Sequence, residues 1–283
     1  MDVNAASRGR IDRHVDVSDL RMGDRMALAW LAQRERRATG VRTAVVDRGT
    51  AGGQRVDLPR YFPATFVGAS AAGGLPRWEV GNLWLTAANA YAACRQPGCF
   101  EALPAPVHAH LTAIRAAPRP QPRVLVHVLD DAGYNFRRNW SRLDADRLVE
   151  RLVATGCEVV MLNPAPGRFI GDFDRMLAEM MAADLFIGGD TGPSHVFAIL
   201  RGGTPQIALY PDMAKDRASY AAEQVRLGLP LAWCSLPFQP KVDVVQLRKT
   251  KRIVRDGRGW RLQSVGRFDP AQIAALALTR VEA

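Results

Sequence analysis

Past residue 20 the chain alternates short apolar runs with stretches in which apolar residues recur every three or four positions. Met22-Gly23-Asp24 opens an alanine-rich segment, Met26 to Ala32, made of good helix formers and stopping at Gly40. Val41 to Val46 reads as the following strand, and Leu85 to Ala93 as another helix after a Gly/Pro-punctuated stretch from Gly49 to Pro76. Residues 1 to 20 are polar and weakly periodic and set no clear strand. The alternation is sharper beyond the Pro-rich segment Pro104 to Pro122, the best linker, whose centre from His108 to Ala117 has helical character.

Val124 to Val128 is a continuous apolar run of the kind that buried parallel strands show. Ser141-Arg142-Leu143-Asp144 has the form of a capping box, so a helix starts there, with Ala145, Leu148, Val149, Leu152 and Val153 on one face and Gly156 at its end. Glu158 to Leu162 gives a strand. Met176, Leu177, Met180 and Met181 repeat the helical spacing as a core stripe, and Asp184 to Gly188 is the next strand. A helix from Pro193 and a strand from Gln206 to Tyr210 follow. This order predicts a doubly wound α/β unit. The end of the chain departs from it: Thr250 to Val254 and Trp260 to Val265 flank Asp256-Gly257-Arg258-Gly259, a hairpin signal, and Asp269-Pro270 caps a closing helix.

Composition adds two constraints. With 283 residues, 48% of them hydrophobic, the chain can build one large core or two small ones, and two are expected. The net charge is +10 with a pI near 10.1. Nearly all of it is arginine, since lysine occurs only at 215, 241, 249 and 251. Arginine suits bidentate capture of phosphate and carboxylate, which points to an anionic partner, although a solvated basic surface explains the charge as well. Arg248, Lys249, Lys251, Arg252, Arg255, Arg258 and Arg261 concentrate it on the hairpin, as edge-strand protection or as a binding patch. Cys94, Cys99, Cys157 and Cys234 show neither a disulfide framework nor zinc spacing and are read as ordinary thiols. There is no apolar run long enough to span a bilayer and no leader at Met1, so a cytoplasmic protein is expected.

The most informative stretch is Asp190-Thr191-Gly192-Pro193-Ser194-His195, entered by a strand and left by a helix. Gly192 lets a ligand approach the backbone, Pro193 suits a helix start, and the N–H groups of that start face outward, an arrangement fit for phosphate. Continued through Gly203-Thr204-Pro205 into a strand, it resembles the donor-site signature of glycosyltransferase family 9, the heptosyltransferases of lipopolysaccharide assembly. Met22-Gly23-Asp24 is similar to the family's N-terminal Gly-Asp signature, and Arg138-Asn139-Trp140 to its Lys-x-Trp segment.

The resemblance implies two Rossmann-like domains facing each other across a cleft, the GT-B type. They would be an acceptor-binding domain over 1–115 and a nucleotide-sugar-binding domain over 116–283, with the final helix free to return to the first. It implies Asp24 as catalytic base, with Arg138, Asp190, Thr191, Gly192, Pro193, Ser194 and His195 as donor ligands. The transfer would be inverting and metal-independent, without a cofactor beyond the nucleotide sugar, for which ADP-heptose is one candidate. A glycolipid or a small molecule would be the acceptor, with peripheral association at the inner face of the plasma membrane.

Four departures suggest a divergent member, in lipopolysaccharide or natural-product synthesis, one being that the helix after Asp24 lacks the proline common in the family. Asn163 to Asp184 has room for little more than one helix, the acceptor domain is short, and Asp130-Asp131 stands where small or hydroxyl residues are usual, as candidates for sugar contacts. Two other readings use the same residues. One is a nucleotide-sugar epimerase with Asp130 or Asp131 as second acid/base, and the other is a catalytically silent relative that binds an anionic partner through the hairpin. RNA-binding motifs are not evident, and nucleic acid is not the expected partner.

Overall fold

The computed structural model describes residues 11–18, 22–46, 73–78, 105–128, 139–165, 170, 173–189, 191–201, 204–210, 242–256 and 259–282. They fall into two units, Met1–His108 and Ala109–Ala283.

In the first unit β1 (Arg13–Asp16) and β2 (Thr43–Val46) lie parallel, Arg13 beside Thr43 and Asp16 beside Val46, and α1 (Met22–Thr39) joins them. Leu28, Ala29 and Ala32 of α1 are buried with Val15, Val17 and the whole of β2. β1 was not legible in the sequence because three of its four residues, Arg13, His14 and Asp16, are polar. Arg13 is accommodated by Thr43 Oγ1 at 3.0 Å, by an ion pair with Glu35, and by the ring of Trp78, 4.5 Å from its guanidinium carbon. Residues 76–78 run along the other side of β1: the His14 amide donates to Pro76 O at 2.9 Å and the Trp78 amide to His14 O at 2.6 Å. The helix expected over Leu85 to Ala93 lies outside the described residues.

α2 (Ala105–Ala116) occupies the centre of the Pro-rich segment, and the division between the units falls within it. The second unit carries a five-stranded, wholly parallel sheet in the order β4-β3-β5-β6-β7. Its strands are β3 (Arg123–His127), β4 (Glu158–Met161), β5 (Leu185–Gly188), β6 (Gln206–Tyr210) and β7 (Val242–Gln246). α3 (Arg142–Ala154) links β3 to β4, α4 (Phe173–Ala182) links β4 to β5, and α5 (Gly192–Leu200) links β5 to β6. The uninterrupted apolar runs are what burial on both faces demands. Val124 and Val126 join Leu148 and Leu152 of α3 in one core, together with Ile273, Ala274 and Ala277 of α6 (Pro270–Val281). On the other face Phe186 stacks on Phe197 of α5, with centroids 5.0 Å apart, and Met176, Leu177, Met180 and Met181 are buried.

Three sequence expectations change. The buried face of α3 is narrower than its periodicity suggests, because Val153 is 55% exposed. β7 is an additional strand that the sequence concealed, since Asp243 interrupts its apolar pattern; the carboxylate is held by Arg280 of α6 at 2.6 and 2.7 Å. The capping box at α3 is only half made. Ser141 Oγ accepts from the Asp144 amide at 3.3 Å, but the Ser141 amide donates to Gly266 O at 2.8 Å. Asp144, 1% exposed, instead takes both guanidinium donors of Arg267, at 2.5 and 2.8 Å. The closing helix, which the sequence reading allows to return to the first domain, packs on α3.

These contacts fasten a second sheet, the antiparallel hairpin of β8 (Arg248–Asp256) and β9 (Gly259–Arg267), at its base. A Cβ on Gly266 would lie 2.4 Å from Leu247 Cδ1 and 3.2 Å from Asn139 O, so a larger residue there would push on the Leu247 side chain and on the 139–141 backbone. Asp144→Ala removes the tether while keeping the Ser141 cap. It is expected to cost about 2 kcal/mol in urea unfolding and to raise amide exchange along β9, because Arg267 is half-exposed and partly rehydrates. Unchanged exchange in β9 would show that the tether holds nothing.

Candidate functional site

The chain leaves β3 to form β4 on one side and returns to form β5 on the other, so strand order reverses between β3 and β5. In open α/β sheets the crevice beyond the carboxyl ends at such a reversal is where ligands bind. Here those ends are His127 and Gly188, adjacent in register.

The β3 end is held in place by a side chain. Asn163, which follows β4 and is almost fully buried, accepts from the Val128 amide at 2.8 Å and donates to Val128 O, continuing the sheet pattern for one more residue. At the β5 end the backbone has no room for a side chain. A Cβ on Gly188 would lie 2.3 Å from Phe186 Cε1 and 2.7 Å from Ser194 Oγ, and the Phe186 ring is pinned against Phe197. Trp140, completely buried, walls Gly189, and its Nε1 has no hydrogen-bond partner among the described residues.

Thr191 is the extended residue at which α5 begins, with φ −141° and ψ 162°, yet its hydroxyl makes no capping bond to the helix. The hydroxyl is 3.0 Å from His127 Nδ1 and 3.1 Å from Ser194 Oγ, and Ser194 Oγ donates to Gly189 O at 2.5 Å. Each hydroxyl has one proton. Ser194 spends its proton on the carbonyl, Thr191 therefore donates to Ser194, and His127 must donate from Nδ1 to Thr191. The relay requires a proton on Nδ1, and burial separately keeps the ring neutral by pushing the His127 pKa from 6.5 down to about 4.

This arrangement ties β3, the Gly188-Gly189 turn and the first turn of α5 into one rigid element. It also diverts the Thr191 side chain from the N–H groups at the start of α5, which have no intrahelical acceptor by helix geometry. Pro193, second in the helix, contributes none. What is left is a short set of backbone donors at the positive end of a helix dipole, suited to an anion.

Of the residues singled out in the sequence, Thr191, Gly192, Pro193 and Ser194 come together here. His195 is in the first turn of α5 and Asp24 in the first turn of α1, just past the carboxyl end of β1, each placed by its backbone. Arg138, Asp130, Asp131 and Asp190 lie outside the described residues. The sequence reading missed the parts played by His127, Asn163 and Gly188. A histidine closing an apolar strand run was the one available signal for the first, and the other two have none without the contacts.

Residues 121–239, about two fifths of the chain, match the model of glycosyltransferase family 9 (heptosyltransferase), consistent with a divergent member of that family. The matched segment begins before β3 and includes β3 to β6. It implies glycosyltransferase activity. No curated protein and no solved structure matches the chain.

Proposed function

We propose, from the family 9 domain at residues 121–239, that this protein transfers a sugar from a nucleoside diphosphate donor to an acceptor hydroxyl, with inversion and without a metal. The observation that carries the reading is that this segment holds the β3/β5 reversal and the uncapped start of α5. In the proposed reaction the donor diphosphate rests on the Thr191 to His195 turn, which Asp190 positions. Arg138 supplies the counter-charge as negative charge develops on the departing diphosphate. Asp24 takes the proton of the acceptor hydroxyl as its oxygen attacks the anomeric carbon from the side opposite the leaving group. Asp130 and Asp131 contact sugar hydroxyls. A heptose, as in ADP-heptose, is the donor sugar the family suggests, with a glycolipid or small-molecule acceptor on the cytoplasmic side. The two-domain GT-B organisation belongs to the same proposal.

Titration calorimetry with ADP, UDP, GDP and dTDP tests the donor half. One diphosphate is expected to bind, and Arg138→Ala to weaken it by about tenfold or more, as the loss of a charge-assisted contact predicts. Equal affinity for the variant would remove Arg138 from the site. Failure of every nucleotide to bind would overturn the donor reading itself.

A further inference from the structure

We propose that one face of the β8–β9 hairpin is a docking surface for an anionic lipid bilayer. The register sets Ile253 opposite Leu262 and Arg255 opposite Trp260, and paired residues share a face, as do positions two apart along each strand. One face therefore carries Lys249, Lys251, Ile253, Arg255, Trp260 and Leu262. Ile253, Trp260 and Leu262 are 68%, 72% and 64% exposed, and they are three of the five exposed large hydrophobic residues among those described. The other two, Leu143 and Val153, lie on α3.

Protection of an edge strand accounts for the lysines and arginines but not for the exposed aliphatic pair and the exposed tryptophan among them. A bilayer with anionic headgroups accounts for both. Its surface attracts the cations, its acyl boundary takes the aliphatic side chains, and tryptophan belongs at the level between them. Charge decides against the alternatives. From Arg248 to Arg261 the hairpin has seven cationic residues and a single carboxylate, Asp256, so a second copy of the same face would bring like charges together. A nucleic acid would leave the Ile253–Leu262 pair without a match. The root of the hairpin, where Val265 and Gly266 are buried and Arg267 is tied to Asp144, fixes the arm to the second unit. No helix among the described residues is long and apolar enough to cross a membrane.

The inference is independent of the proposed transfer reaction, because the test needs neither donor nor acceptor. The full-length protein is mixed with phosphatidylcholine vesicles, with and without phosphatidylglycerol, and sedimented. Bilayer contact is read separately as quenching of tryptophan fluorescence by brominated lipid. Binding is expected only with phosphatidylglycerol. It should fall at least about tenfold in Ile253→Ser/Leu262→Ser and in Lys249→Gln/Lys251→Gln/Arg255→Gln, with unchanged circular dichroism. Trp260→Phe should keep binding and lose most of the quenching. The proposal is overturned by absence of binding to anionic vesicles, by binding that the Ile253/Leu262 variant retains, or by quenching that Trp260→Phe leaves intact. RNA binding that vesicles do not displace, or a dimer that the Ile253/Leu262 variant dissolves, would overturn it equally and reassign the face.

Discussion

Between pH 6.5 and pH 4 the protein is expected to lose about 3 kcal/mol of folding stability through one side chain, His127. As the pH falls past 6.5 the unfolded chain takes up a proton on this histidine, while the folded chain, whose imidazole is buried, does not do so until about pH 4. The unfolded state binds more protons throughout that interval, so stability declines across it, levels off below pH 4 and is fully present above 6.5. Protonation adds its proton at Nε2 and leaves the Nδ1–H that donates to Thr191, so the whole cost is that of a buried charge. His127→Asn is the informative variant. It retains an N–H donor for Thr191 near the position of Nδ1 and has nothing to titrate. Urea unfolding at a series of pH values should give the variant a shallower slope than the parent over this interval, with the carboxylates contributing alike to both. Equal slopes would show that His127 is not carrying the difference.

Asp24→Asn is expected to lower turnover by about two orders of magnitude while donor affinity stays nearly unchanged. The substitution keeps shape and hydrogen-bonding capacity but removes the ability to accept a proton from the acceptor hydroxyl. The backbone position suits the role, since the first turn of α1 follows the carboxyl end of β1, the end at which α/β sheets place their sites. Steady-state transfer assays with the donor identified by calorimetry give the measurement, read against donor binding in the same preparation. Retained turnover would end the assignment. Loss of donor binding or of the folded state would make Asp24 a structural residue, and the N-terminal half of the family resemblance would then carry no weight.

Much of the second unit was legible in the sequence because its signals are local. Val124 to Val128 and Asp184 to Gly188 are apolar runs that only strands buried on both faces need, and the Met176 to Met181 spacing marks a helix face without reference to anything it touches. Asp269-Pro270 and Ser141 announce helix starts through bonds to residues two or three positions away. β1 and β7 were hidden for the opposite reason. Their polar members, Arg13 and Asp243, are compensated by Thr43 and Glu35 and by Arg280, partners too distant in the chain for any window to see.

The candidate site divides along the same line. The phosphate-suited turn at Thr191 to Ser194 was readable because a glycine and a proline between a strand and a helix define a backbone shape on their own. Tertiary structure alone decided that the Thr191 hydroxyl faces His127 rather than capping its helix, that Asn163 finishes β3, that Asp144 holds Arg267 instead of closing its capping box, and that Gly188 can be nothing larger. Each depends on residues brought together from different strands, where a buried proton donor must find an acceptor and two surfaces must fit. Propensity and spacing describe a chain against its own neighbours, and these constraints arise only once distant segments share an interior from which water is excluded.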